Sequence, residues 1–320
     1  MAGLVLFGEA LIDAFPQEDV LGGAPFNVAR TMAAFGRAPH LISCIGLDEG
    51  ANVLRAELRR FHLDESGVQV DPFHPTGRVA VELSLDGHRF DILANQAYDH
   101  IDLAKAAASI AAAFQNTEPS VFYFGTMAQR AEISRHCLDA LLESTSALKY
   151  LDLNLREGQH TPAIVSASLK RADMVKVNEE ELRFLLETYV VPGGVFDISF
   201  GDAAARSRLL PALQSLLDQF TLQSMVMTLG ARGYAYLDNK GRLLFDDAPD
   251  VGTHVIDTVG CGDAFSAVLI TGILSDWPIE LSLQRARRFA TAMCGVRGSA
   301  ATDKEFYSRW MQLWAAEDLA

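Results

Sequence analysis

Positive charge is scarce in this chain of 320 residues, where 27 Lys and Arg face 41 Asp and Glu for a formal net charge of −14. Surfaces that hold nucleic acid or acidic membranes draw their affinity from Lys and Arg, so both partners are excluded. Cysteine is scarce too. Cys44, Cys137, Cys261 and Cys294 show no C-x-x-C spacing, which argues against zinc and for reduced, mostly buried thiols. Apolar runs fall short of the ~18 residues of a membrane helix. The opening Met1–Glu9 stretch has no basic region or cleavage site, so a cytoplasmic location is expected. Neither G-x-x-x-x-G-K-[ST] nor G-x-G-x-x-G occurs. A P-loop ATPase and a nicotinamide dehydrogenase are therefore unsupported.

What is present is an ordinary globular composition, 49% hydrophobic and 21% charged, enough for one large domain with a small addition. Short apolar runs alternate with helix-period segments. Strands are expected near 3–8, 40–45, 67–71, 120–124, 149–153, 173–177, 224–230, 234–237 and 242–246. Helices are expected near 49–61, 102–114, 131–143, 161–170 and 179–189, and the last ~55 residues are helical by their period. Such alternation implies a parallel sheet covered on both faces. One stretch interrupts it: Val79–Leu83 and Arg89–Leu93, joined through Asp86-Gly87, form a hairpin pattern. This hairpin is either a lid, completed by residues 14–21, or an edge decoration. The division expected is a main α/β domain of 1–13, 22–73 and 101–320 and a lid of 14–21 and 74–100. The loop 192–201 has no assigned role.

Chemistry concentrates in a few stretches. In Asp257-Thr258-Val259-Gly260-Cys261-Gly262-Asp263, followed by the apolar run Ala264–Leu274, a loop opens into a buried helix. The free N–H groups of such a helix start, uncovered by Gly260 and Gly262 around Cys261, suit a phosphate. Asp263 there is either a helix cap or a base that takes the proton of an attacking hydroxyl. Leu21-Gly22-Gly23-Ala24-Pro25-Phe26-Asn27 leads into another helix. It is either a plain glycine turn or a place where a ligand nears the backbone and Asn27 meets a sugar hydroxyl. Asp13 follows the first strand, a position for a substrate-gripping carboxylate or a turn Asp. Asp152, Asn154 and Arg156 alternate along an extended stretch, and Arg156 has the planar fork that reads phosphate. Asn178 and Glu181 form either an N-cap with its capping-box partner or a hard-oxygen site for magnesium. Thr228, Gly230 and Gly233 would line a nucleotide's phosphates and ribose.

Two long signatures in this order carry a resemblance. Gly22-Gly23-Ala24-Pro25-Phe26-Asn27-Val28-Ala29, with Gly36 and Gly46, and Asp257–Ala267 resemble the N- and C-terminal signatures of the ribokinase-like, or phosphofructokinase-B, carbohydrate kinases. The likeness covers essentially the whole chain. Asp152-Leu153-Asn154-Leu155-Arg156 and Ala97-Tyr98-Asp99-His100-Ile101 are most similar to bacterial fructokinases. Leu153 stands where proline is usual, Cys261 where alanine is usual, and 292–302 is short beside the corresponding loop.

The resemblance implies a three-layer α/β/α fold with a mostly parallel central sheet and a small β lid. It implies transfer of the γ-phosphoryl group of ATP, with Mg2+, to a hydroxymethyl group of a sugar, fructose first among the acceptors. Other acceptors are 2-keto-3-deoxygluconate, ribose or a nucleoside, and a non-catalytic sugar- or nucleotide-binding relative is the alternative. By the same resemblance Asp263 is the base, with the amides of Gly260, Cys261 and Gly262 as anion hole beside Arg156. Asp13, Gly22, Gly23 and Asn27 bind sugar, and Asn178, Thr228, Gly230 and Gly233 serve ATP. Glu181 serves Mg2+ through water, and Asp257 serves an alkali cation, K+. The apolar face of a two-stranded lid needs a cover, so a homodimer through the lid is expected.

Overall fold

Why the alternating runs become a layered sheet is visible in their burial: Val5, Leu6, Leu41, Ile42, Val175 and Val177 lose all contact with solvent, as strands covered on both faces must. The computed structural model describes residues 3–15, 18–84, 87–115, 117–247 and 255–318, and within 81–90 the backbone alone. Its strands are β1 (Gly3–Phe7), β2 (Leu11–Ala14), β3 (Asp19–Gly22), β4 (His40–Ile45), β5 (Val68–Val70), β6 (Gly77–Ser84), β7 (Gly87–Ile92), β8 (Pro119–Phe124), β9 (Leu148–Asp152), β10 (Met174–Asn178), β11 (Ser224–Thr228), β12 (Tyr234–Asp238) and β13 (Leu243–Asp246). Apart from a small separate sheet, these strands build a mostly parallel central sheet. With its flanking helices it is a three-layer α/β/α fold.

The chain divides into two units. The first comprises Met1–Phe122, Ala131–Ala147 and Thr253–Ala320. Within it the central-sheet order runs β8-β1-β4-β5, and β4 pairs in parallel with both β1 and β5. It also holds a separate four-stranded sheet, β3-β2-β6-β7, in which β2 pairs antiparallel with β3 and parallel with β6. β6 and β7 pair antiparallel with Val79 opposite Ile92. The turn dipeptide expected at Asp86-Gly87 begins outside the described residues. The small sheet takes in Leu11–Ala14 and Asp19–Gly22, so a division at 13/14 and 21/22 cuts through two of its strands. Asp13 is thus inside β2, between Val20 and Val79 in register, and not in a loop past β1.

Helices Ala24–Ala34 and Cys261–Leu274 pack on each other in this unit. Phe26, Val28 and Met32 on the first, and Ala267, Val268 and Ile270 on the second, are wholly buried. Each large apolar side chain so buried contributes roughly 1.5–3 kcal/mol. Phe35, Phe289, Tyr307 and Trp314 cluster beside them, with Phe35 edge-on to Phe289 at 5.0 Å. The helical C-terminal segment therefore backs the helices that carry the glycine-rich stretches.

The second unit comprises Tyr123–Arg130 and Leu148–Gly252. Its strand order is β13-β12-β11-β10-β9, parallel from β9 to β11 and antiparallel through β12 and β13. Helix Glu179–Leu185 passes into a π-helical turn, Leu186–Val190. The loop 192–201 is pinned by arginines, for Arg183 donates to the Phe196 carbonyl at 2.7 Å and Arg232 to that of Ile198 at 2.9 Å. Both arginines also pair with Glu179. The loop that had no assigned role thus packs against the start of the Glu179 helix. Among the described residues no helix is long and apolar enough to cross a membrane.

Candidate active site

The first unit places the two glycine-rich stretches against each other. Gly23 is the N-cap of helix Ala24–Ala34 with φ +102°, and a Cβ there would lie 2.4 Å from the Glu9 carbonyl oxygen. Any side chain would force the turn open. Pro25 occupies the first turn, where a missing N–H costs nothing. Gly22 is held as closely, since its Cβ would sit 2.5 Å from Asp13 Oδ2. Asp13 and the start of this helix are therefore neighbours. Buried Glu9 accepts the N–H of Ala24 at 3.1 Å and ties down the helix start.

Asn27 emerges one turn later with its side chain oriented from both ends. Its Oδ1 accepts from Arg30 at 2.6 Å and from the Ser299 hydroxyl at 3.0 Å. Its amide nitrogen therefore points the other way, and donates to Asp263 Oδ2 at 2.7 Å. Arg30 is only 4% exposed. It bonds Glu57 at 3.1 Å, Ser299 at 2.8 Å and the Leu21 carbonyl at 3.3 Å, and stacks over Phe26. Burial draws its basicity down, against the opposing pull of Glu57.

Helix Cys261–Leu274 begins from Gly260, whose φ of +75° makes it the N-cap without a side chain to cap with. A Cβ on Gly260 would meet Ser299 at 2.6 Å. Asp263 stands third in the helix and half-buried, so it is not the cap residue. The amides of Cys261 and Gly262 lie at the positive end of the same helix. Asp257 Oδ1 accepts from Val259 and Oδ2 from Gly298, both at 2.9 Å, which closes the loop ahead of Gly260 onto the 298 turn.

The second unit carries the other candidates. Asp152, 1% exposed at the end of β9, takes the Lys176 ammonium at 2.7 Å on each oxygen and the Tyr123 hydroxyl at 3.1 Å. The alternation expected through Asp152, Asn154 and Arg156 is not realised. The strand ends at Asp152, and Asn154 adopts φ +42°, which breaks the two-residue period. Arg156 is exposed, with its guanidinium 3.4 Å from the Leu155 carbonyl.

Asn178 and Glu181 form a complete capping box. Asn178 Oδ1 accepts the Glu181 N–H, while Glu181 Oε2 accepts the Asn178 N–H and Oε1 that of Leu155. Burial, more than the Asp152 charge, lifts Glu181 above the usual carboxylate range. Thr228 donates to the Val177 carbonyl at 3.4 Å. Gly230 and Gly233 bracket the short turn that follows β11, and a Cβ on Gly230 would enter open space.

A family model described as pfkB family carbohydrate kinase matches residues 4–305. The chain belongs to this family. It is 30% identical over 328 aligned residues to fructokinase-1 of Oryza sativa subsp. japonica, covering 91% of this chain and 90% of that one. Among solved structures, a sugar kinase of Pyrococcus horikoshii in complex with ATP superposes with a TM-score of 0.69 at 25% identity, over 92% of this chain and 93% of the other. A fructokinase of Vibrio cholerae O395 in its fructose-, ADP- and calcium-bound form gives a TM-score of 0.74 at 22% identity, over 96% and 98%. The second likeness is one of fold. The protein is accordingly a carbohydrate kinase.

Sequence reasoning missed three residues of this kinase's first-unit cluster: Glu9, Arg30 and Ser299. Arg30 left a trace, a charged residue three positions after Asn27 and so on the same helical face, inside an otherwise apolar pattern. Ser299 left none. It reaches Asn27 across 272 residues of chain, a separation at which no local pattern operates.

Proposed function

We propose that this kinase transfers the γ-phosphoryl group of ATP to a hydroxymethyl group of fructose. The observation that carries the reading is the Asn27–Asp263 contact, a half-buried carboxylate held by an oriented amide at an open helix N-terminus. Phosphoryl transfer needs an in-line hydroxyl and a cradle for charge more than it needs covalent help. Asp263 takes the proton of the acceptor hydroxyl, and the Gly260, Cys261 and Gly262 amides stabilise the transferring charge. Asp13, Gly22, Gly23 and Asn27 bind the sugar, under a lid formed by the four-stranded sheet. Fructose as acceptor is supported by the fructokinase relatives.

Asn178, Thr228, Gly230 and Gly233 are assigned to the nucleotide. The open space at Gly230 fits a close backbone approach. Glu181 fits a magnesium site only through water, since each of its oxygens already accepts one N–H and keeps one further acceptor position. Magnesium when bound there neutralises phosphate charge. Asp257 accepts one N–H on each oxygen in closing its loop and keeps one further acceptor position on each, so the alkali cation, K+, stays proposed there.

A coupled ADP-release assay over fructose, 2-keto-3-deoxygluconate, ribose and a nucleoside tests the proposal. Fructose is expected to give the highest kcat/KM. A different leading sugar overturns the acceptor, and no release with any sugar, despite sugar and ATP binding, makes the protein a non-catalytic relative.

Arg156 is assigned to phosphate rather than sugar. Arg156→Ala is expected to lower kcat about tenfold, the worth of one charge-assisted contact, with little change in the fructose KM. Steady-state kinetics decide it. A change confined to KM would move Arg156 to the acceptor.

A homodimer through the small sheet is also proposed, supported by the end position of β7 in the order β3-β2-β6-β7 among the described residues and by Leu93, 38% exposed just beyond it. Light scattering at micromolar concentration is expected to give twice the mass of one chain. Leu93→Asp, at an exposed position, is expected to shift the protein toward monomer. A monomeric wild type, or a dimer that ignores the substitution, removes this sheet from any interface.

A further inference from the structure

Cys261 is one of the three residues whose amides make the proposed anion hole, and its Sγ lies 2.9 Å from that of Cys294. A disulfide spans about 2.05 Å, so bonding asks for a closure of less than about 1 Å. Both thiols are half-buried, whereas Cys44 and Cys137 are buried elsewhere. Cys294 ends helix Ile279–Met293, and its carbonyl accepts the N–H groups of Ile256 at 2.8 Å and Asp257 at 3.1 Å. The segment entering the anion hole already hangs from Cys294 by its backbone. A bond between the side chains would fasten it a second time, at the hole itself.

We propose that Cys261 and Cys294 are an oxidation site at which hydrogen peroxide forms a disulfide that halts phosphoryl transfer. The loss of activity rests on the reading of the 260–262 amides as anion hole, while the disulfide itself does not. The Cys294 thiolate attacks one peroxide oxygen, the O–O bond breaks, and hydroxide leaves with Cys294 as sulfenic acid. The Cys261 sulfur then attacks the Cys294 sulfur, the S–O bond breaks, and hydroxide leaves with the Cys261 proton as water. Two thiols and one peroxide become one disulfide and two waters.

The order of attack follows from the surroundings. Burial, the adjacent Cys294 thiol and the carboxylates of Asp257 and Asp263 push the Cys261 thiol well above its ordinary range, so it is the resolving partner. The consequence follows from the geometry of transfer. Drawing Cys261 Sγ toward Cys294 displaces the first residue of the helix that presents the amides, and a misplacement of about 1 Å at a reacting centre costs on the order of 10²-fold.

The test treats the full chain with hydrogen peroxide, maps its peptides under non-reducing conditions, and measures ADP release with fructose before and after dithiothreitol. A Cys261–Cys294 cross-link, a kcat lower by about 10²-fold, and recovery on reduction are expected. Cys294→Ser, or Cys294→Ala if serine perturbs folding, should keep the reduced activity and be indifferent to peroxide. Absence of the cross-link overturns the oxidation site, and a cross-linked enzyme with undiminished kcat overturns the control of activity. A reduced enzyme inactive on every sugar overturns the kinase reading instead, and the peptide map still decides whether the pair oxidises.

Discussion

Asp263→Asn is expected to leave the protein folded and to lower kcat by about 10²–10⁴-fold, the usual worth of a positioned base. The fold should survive because the helix starts from Gly260 and not from Asp263, and because asparagine keeps an oxygen for the Asn27 amide at the 2.7 Å contact. What disappears is an acceptor for the proton of the attacking hydroxyl. An amide is not basic enough to take it. Substrate grip involves Asp13, Gly22, Gly23 and Asn27 in the proposed arrangement, so the sugar KM should change far less than kcat. Kinetics by coupled ADP release, with a thermal melt to establish folding, decide the matter. A folded variant with near wild-type turnover would leave the carboxylate as a structural element of the helix start.

Both strands and glycine-rich stretches were legible in the sequence because their signals are local. A strand buried on both faces needs an apolar run, and a chain that turns at φ +102° or +75° needs glycine, as at Gly23 and Gly260. Legibility failed where the deciding contact is distant. Asn27 meets Asp263 across 236 residues and Arg30 meets Ser299 across 269, and no period or motif encodes such a meeting. Asp152-Leu153-Asn154-Leu155-Arg156 failed differently. Its polar alternation suggested an extended run, but Asp152 is drawn into a buried pair with Lys176 and the chain turns at Asn154.

The capping box at Asn178 and Glu181 does not preclude the proposed magnesium site. The capping box is complete, yet the carboxylate stays buried beside Asp152 and Lys176, a costly environment for a residue that merely caps a helix. The expected divisions at 13/14 and 21/22 fall inside β2 and β3, which are four residues each. Strands so short carry almost no periodic signal.

Arg30→Met is the second substitution with a large expected effect, and it separates stability from positioning. Its guanidinium is buried among Glu57, Asn27, Ser299 and the Leu21 carbonyl. Methionine fills much of the volume but supplies no donor. Glu57, whose side chain is 13% exposed, would lose its buried partner and keep only the more exposed Arg60 at 3.5 Å, at a cost of about 1–3 kcal/mol. Asn27 would keep the Ser299 hydroxyl on its Oδ1 and lose the shorter, charged contact from Arg30. The amide that holds Asp263 is then free to swing, and a looser base is a slower one. We expect a lowered Tm together with a loss of about tenfold in kcat, measured well below the melting transition, from a weakened charge-assisted hydrogen bond. Arg30→Lys keeps one charged donor and should recover part of the turnover even where it recovers little stability. A purely structural Arg30 would show the opposite pattern, a depressed Tm in both variants with wild-type kcat in whatever fraction remains folded.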